Sequence, residues 1–396
     1  MAAISSIRSM TLDLPPSCIE FCPENPDYFV VGTYKLWKQE EEGGESTSTE
    51  ASDAESRKEQ RRTGSLVTFT IKGDEITQVH TLVTQFAVLD LHFSPHAAKR
   101  KNLLCVATST GALVLYRLAV NQHASQDILA AELQHVATLS LFPPTTLVFS
   151  CAWHPLEPSL VGVTLSTGEV LLYKIEDGAT AAPDGVCGGT AELNARIDLL
   201  SHSLEAWTLA FTPRGEVVFS GGDDAILQAR SLLGTSMQDA VTPDWQDRRI
   251  HGAGITAILP LPGEITITGN YDDHIRVIRT PRVGRREILA EQNLGGGVWR
   301  LKVLDEGAIR DAHRTGARQR IILLASCMHA GARILSITRC TDETWSIDVL
   351  AKFEEHKSMN YGSDVQPAAE SCKTPAIIST SFYDQLLCMW RWSPTQ

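Results

Sequence analysis

No stretch of this sequence approaches the roughly 18 consecutive apolar residues that a membrane-spanning helix requires, so no membrane association is expected. The opening MAAISSIRSM lacks the apolar run of a secretory signal. Positive charge is in deficit: 35 Lys and Arg against 47 Asp and Glu leave a formal charge of −12. A nucleic-acid binder needs a basic stripe to displace counterions from phosphates, and this composition argues against one. An acidic chain more naturally meets a basic partner, although charge sets solubility and steering rather than function. The 9 cysteines are odd in number and scattered, with Cys18 and Cys22 the only close pair, and no second pair completes a zinc site. They read as free thiols in a reducing compartment, cytosolic or nuclear, with the cytoplasm as the expected location. Motifs of common chemistry are also missing: no G-x-S-x-G elbow, P-loop, dinucleotide-binding glycine pattern or H-E-x-x-H occurs. No metal and no cofactor is expected. GGG at 295–297 precedes a strand rather than a helix and reads as a loop, not a phosphate cradle.

What is present is a repeat. VLDLHFSP (88–95) leads to LLCVATST (103–110), a turn, and ALVLYRL (112–118), and five further copies follow from VFSCAWHP (148–155) to SFYDQLLCMW (381–390). The turn between the second and third strand of each copy gives an anchor: Thr110, Thr167, Asp224, Asp272, His329 and Asp384. An earlier copy is split by a polar tract at 38–63, which carries seven acids and no base between Gln39 and Glu55. Such a tract buries too little apolar surface to offset its ordering entropy, so a disordered acidic insertion in the first repeat is expected. Seven units of about four short strands predict an all-β fold: a seven-bladed WD40-type propeller forming a single domain over 1–396. The longer period reflects inserted loops, and clean helical periodicity between strands is lacking. A blade stacks on its neighbours and the ring must close. Residues 7–14 are the natural fourth strand of the last blade, beside LLCMWRW. The dipeptide Trp-Asp appears nowhere, so the repeats are degenerate.

Three histidines, His202, His251 and His356, precede a blade's first strand and are followed by Asp224, Asp272 and Asp384 at the anchor. Each pair suits a buried hydrogen bond locking two loops, since such groups tolerate burial only when they satisfy each other. The neighbouring acids Asp223 and Asp273 read as solvated. His329 stands where other copies carry Thr or Asp. It either pairs structurally, for instance near Gln292 or Asn293, or presents an imidazole able to act as a general base. Cys327 falls on the same side if the strand extends that far, as half of a Cys–His dyad or as a small core thiol. Trp207, Tyr271, Trp299, Tyr361 and Tyr383 cluster near predicted loop ends. They are either strand-end core residues, the simpler reading for Trp207, or a cage for a quaternary ammonium, with Glu205 and Asp364 adding attraction.

HSLEAW (202–207), SGGDDAIL (220–227), TGNYDDHI (268–275), GGVWRLK (296–302), SCMHAG (326–331), YGSD (361–364) and SFYDQLLCMW (381–390) together resemble diphthine methylesterase, the WD-repeat family of the diphthamide pathway. The similarity runs from about residue 17 to the end, and the chain looks like a fungal member. GGVWR followed by CMH is specific, whereas SGGDD fits many WD proteins. The acidic insertion and the absent Trp-Asp endings of blades four and five depart from the pattern. The resemblance implies an esterase that removes the methyl ester of methylated diphthine, the modified histidine of translation elongation factor 2, which would be its protein partner. A trimethylammonium on that substrate suits an aromatic, acidic mouth. The site expected for such a reaction has His329 as base for an attacking water, with Tyr or Trp ring donors or the amides near Gly295–Gly297 stabilising the oxyanion, and Tyr361 and Ser363 as second choices for donor and nucleophile. Trp299, Tyr271, Tyr383, Glu205 and Asp364 would hold the substrate. A monomer is expected. The competing class is a non-catalytic WD40 scaffold or adaptor, for which fold alone is no discriminator; a reader of methylated lysine would share the cage without the base.

Overall fold

The computed structural model describes residues 2–37, 60–121, 130–175, 193–233, 241–305, 319–367 and 374–393. The core of the acidic insertion, 38–59, lies outside them. On its flanks, Lys35–Leu36 pairs with Arg62 and Thr63 as a short ribbon, and the strand that continues from it runs Arg62–Lys72.

Seven antiparallel sheets succeed one another along the chain and make a seven-bladed propeller. Blade 1 begins at Pro16–Phe21, blade 2 at Val88–Phe93, blade 3 at Val148–Trp153 and blade 4 at Ala206–Phe211. Blades 5, 6 and 7 begin at Ile255–Leu261, Arg300–Val303 and Gly362–Val365. Each first strand runs along the centre of the ring. Apolar clusters fill the spaces between neighbouring blades, one at each interface, which is why no blade buries its faces alone. The ring closes as expected: Arg8–Thr11 pairs antiparallel with Leu386–Arg391 as the fourth strand of blade 7. Ala2–Ile4 goes further and pairs in parallel with Trp345–Phe353, adding an edge strand to blade 6.

One local irregularity repeats around the ring. In blades 1 to 5 the register between first and second strand shifts at the second residue of the first strand, at Ser17, Leu89, Phe149, Trp207 and Thr256. Trp299 and Tyr361 hold the same place one residue ahead of the paired strands of blades 6 and 7. A bulge leaves its extra residue unpaired and re-aims the side chain. Seven equivalent positions therefore ring one end of the channel, and four of them are aromatic.

Candidate functional site

Phe149, Trp207, Trp299 and Tyr361 occupy bulge positions of blades 3, 4, 6 and 7. Blade 5 has Thr256 there, whose hydroxyl is turned to the Val298 carbonyl at 2.5 Å. Tyr271, at the end of the second strand of blade 5, fills that gap. The rings form an unbroken row: Phe149 to Trp207 at 4.5 Å between centroids, Trp207 to Trp299 at 5.6 Å, Tyr271 to Trp299 at 6.0 Å, and Trp299 to Tyr361 at 4.9 Å. Tyr361 meets Phe382, which meets both Tyr383 and Tyr34. Trp207, expected as a core residue, is half-buried in this rim and donates its indole N–H to Asp223 at 3.2 Å. Asp223 is thus engaged rather than merely solvated. Burial, reinforced by Tyr361, Asp223 and Glu205, pushes the Tyr271 phenol above its ordinary value, and burial does the same to Tyr361. Both phenols are neutral donors at physiological pH.

His329 sits in the turn between the second and third strands of blade 6, at the same end of the ring. Its strand stops at Ser326, and Cys327 N–H to Gly331 C=O closes the turn. Met328 takes a left-handed φ of 41°, is bridged to Asn360, and lies one residue from His329. The Gly295–Gly297 loop backs onto this turn. A Cβ on Gly296 would meet the Cys327 carbonyl at 2.3 Å, so only glycine permits the approach. The pairing of GGVWR with CMH is therefore a packing contact. His329 is exposed and makes no hydrogen bond among the described residues, neither to Gln292 nor to Asn293. A Cys–His dyad does not form. Cys327 is fully buried with its thiol pushed up to about 12 by burial, while His329 points to solvent.

Two expected site residues lie elsewhere. Ser363 is buried and donates its hydroxyl to Asn360 Oδ1 at 3.1 Å, an amide that cannot activate it as a nucleophile. Asp364 is not at the mouth. It is buried in the channel, accepts from the Phe21 N–H, and pairs with Lys302 at 3.0 Å; burial pushes its carboxyl up against the opposing pull of that lysine. Around it lies a charged network absent from the expected site. Arg300 pairs with Asp90 at 2.7 Å, and His92 stands 3.4 Å from both Asp90 and Glu20. Burial opposes ionisation of His92 and Asp90, but Asp90 and Glu20 raise His92, and the Arg300 guanidinium and His92 lower Asp90. The two carboxylates thus favour the protonated imidazole at His92. These residues line a channel cavity that reaches Tyr361 and Ser363 but does not include His329. Their signal is a polar residue repeated at the channel-facing place of an apolar first strand, as in SCIEF and VLDLHF.

The loop locks form in altered shape. His202 Nδ1 meets Asp224 at 2.9 Å as expected. His251 and His356 instead bond Thr268 and Ser379 through Nε2, at 2.8 Å each. Asp272 is taken by Arg276, at 2.8 and 3.0 Å, and Asp384 by Ser358 and Ser381. In all three blades the aspartate still accepts the backbone N–H that follows the histidine, so the loops stay tied.

Among the described residues no group of three or more His, Cys, Asp or Glu is arranged to hold a metal ion, and no helix is long and apolar enough to cross a membrane. No family model matches the chain. It is 28% identical over 97% of its length to a protein of Saccharomyces cerevisiae named diphthine methyltransferase, covering 97% of that protein. It is 29% identical to the protein so named in Schizosaccharomyces pombe, over 96% of the chain and 95% of the relative. The mouse protein of that name is 30% identical over 76% of the chain, which covers 56% of it. Among solved structures, a chain of the mitotic checkpoint complex matches with a TM-score of 0.61 at 12% identity, over 99% of this chain and 93% of that one. Chaetomium thermophilum Sqt1, bound to the N-terminus of ribosomal protein L10, matches at 0.58 and 14%, over 98% and 91%. Those likenesses show the fold alone. The sequence relatives are more specific: the chain is a homologue of the proteins named diphthine methyltransferase across fungi and animals.

Proposed function

We propose that this chain works in diphthamide biosynthesis as a carboxylic ester hydrolase. Its substrate is the methyl ester of methylated diphthine on elongation factor 2 in the cytoplasm. The observation that carries the reading is the aromatic rim with Glu205 and Asp223 beside it, next to a turn that presents an unengaged imidazole. Faces of Trp207, Tyr271 and Trp299 attract a trimethylammonium through their quadrupoles, and the two carboxylates add charge. His329 takes a proton from water as the water oxygen bonds to the ester carbonyl carbon. The carbonyl π-electrons move to oxygen, where the Gly296 and Gly297 amides, which have no partner among the described residues, stabilise the developing charge. Collapse breaks the bond from carbonyl carbon to methoxy oxygen. His329 returns its proton to the departing methoxide, leaving methanol and a carboxylic acid, which releases its remaining proton to solvent as the carboxylate. The relatives' shared name speaks of methyl transfer, whereas in this reading the acyl group passes to water and the methyl leaves with its own oxygen as methanol.

The test is methanol release from methylated factor by purified protein with no methyl donor present. Absence of methanol sinks the hydrolase and leaves a scaffold or a reader of methylated lysine. If methanol appears, His329→Ala with unchanged melting temperature is expected to lower kcat by about a hundredfold or more, the usual worth of a general base. Near-normal turnover removes His329 from the chemistry.

A further inference from the structure

The rim is electrically polarised, although the chain as a whole is acidic. Around blades 4 and 5 the groups beside the rings are Glu205, Asp223 and Asp273, while Asp272 is spoken for by Arg276. Opposite, where blade 7 meets blade 1, the row ends in Phe382, Tyr383 and Tyr34, and there the charge reverses. The ribbon carrying Tyr34 holds Lys35, Arg61 and Arg62, and Lys357 stands exposed in the loop entering blade 7. The carboxylates of this sector are Asp13, Glu354, Glu355 and Asp384; Glu354 pairs with Arg333, Glu355 accepts from the Ser6 N–H and hydroxyl, and Asp384 is occupied by Ser358, Ser381 and the Lys357 N–H. Trp37 is 44% exposed, Tyr383 69% and Leu36 43%. Lys35 Nζ lies 4.1 Å from the Trp37 ring centroid and the Arg61 guanidinium carbon 5.6 Å, so the indole is flanked by two cations. Its N–H is fixed to Thr63 Oγ1 at 2.8 Å, and Arg62 Nε holds the Tyr34 hydroxyl at 2.9 Å. An indole held between cations, on the ribbon that carries the last ring of the aromatic row, has the makeup of an interface anchor: aromatic and Arg residues dominate hot spots, and surrounding charge selects the partner.

We infer that the Lys35–Trp37 and Arg61–Arg62 ribbon is a docking surface for an acidic segment of the protein substrate. It sets the orientation of that protein so that its modified side chain reaches the opposite, acidic side of the rim. This rests on the hydrolase reading for the identity of the substrate, not for the existence of the surface. A bipolar rim gives one orientation of approach and disfavours the reverse, where acids would face acids.

The experiment measures the Kd of elongation factor 2 for wild type, Lys35→Glu/Arg61→Glu and Trp37→Ala at two salt concentrations. In parallel, methanol release is followed from a short peptide bearing the methylated diphthine. Charge reversal is expected to weaken factor binding about tenfold and to flatten its salt dependence, Trp37→Ala to weaken it at both salts, and peptide turnover to match wild type. Arg61→Gln serves as a milder variant if the double change unfolds, and is expected to give a smaller shift in the same direction. Unchanged Kd, no measurable binding by wild type, or tighter binding on charge reversal overturns the inference. The last outcome would assign the ribbon to the acidic stretch 39–55 of the same chain. Methanol release from the peptide reports on the hydrolase separately, so failure of one is distinguishable from failure of the other.

Discussion

At the scale of single residues, the rim turns on Trp299. It touches Trp207, Tyr271 and Tyr361, so removing it breaks the row in the middle rather than at an end. A desolvated cation–π contact is worth about 1 to 2 kcal/mol. Trp299→Ala is therefore expected to raise KM for methylated factor about tenfold, with Trp299→Phe recovering part of the loss and kcat moving less than KM. An unchanged KM in steady-state kinetics would remove the ammonium from the rim. Trp299 was legible in the sequence because an aromatic directly before an apolar first strand stands out. Phe149 and Phe382 were not, because the rule that gathers them is the bulge, and a register shift leaves no mark in residue type. His329 was legible as an oddity among Thr and Asp anchors, but whether it faced solvent depended on where its strand stopped. The strand stops three residues short of it, at Ser326. Ser363 and Asp364 were misplaced for a related reason: two and three residues past Tyr361, the strand has already turned into the channel.

At the scale of strands and loops, the channel network joins blades that the chain keeps far apart. Asp90 of blade 2 accepts from Arg300 of blade 6 and from the Cys151 N–H of blade 3. Asp90→Ala would leave the guanidinium, only 27% exposed, without its counter-charge. The expected loss is about 3 kcal/mol, because breaking one side of a buried pair costs more than the pair contributes. Replacing both partners, Asp90→Leu with Arg300→Leu, is expected to restore most of the denaturation midpoint, and a double variant no better than the single would contradict this account. Such a network is hard to read in advance because its members come from separate repeats and meet only when the ring closes. The His–Asp locks show the same limit on a smaller scale. All three pairs satisfy the spacing, yet Arg276 offers Asp272 two charged donors in a fork, and a neutral imidazole cannot compete. The spacing showed which loops are tied and not which side chain ties them.

At the scale of the whole molecule, the displaced histidines set the acid limit of the fold. His251 and His356 are buried with Nε2 on a hydroxyl and Nδ1 unpartnered, so a proton on either would be an uncompensated interior charge. Burial lowers both to about 4 from the ordinary 6.5; Arg276 assists at His251, while Asp272 and Asp247 there, and Asp384 and Glu355 at His356, pull weakly the other way. In the unfolded chain both histidines bind protons below about pH 6.5, whereas in the folded chain they do not until about pH 4. The unfolded state therefore holds up to two more protons across that window, and stability rises with pH there. Their contribution is full above the unfolded pKa and is lost as pH falls from 6.5 toward 4, on the order of 3 kcal/mol each. His92 does not offset this. Its raised value makes its own contribution fully present below the unfolded pKa and lost only at higher pH, so it adds no slope in the acid window. Lowered carboxylates such as Asp272 and Asp384 steepen the loss only near and below their unfolded range. Denaturant midpoints at pH 6, 5 and 4.5, inside that window, should thus fall progressively, and His356→Gln, which keeps a polar group without a titrating one, should flatten the slope by about one proton. The same slope in the variant would place the acid sensitivity elsewhere in the ring.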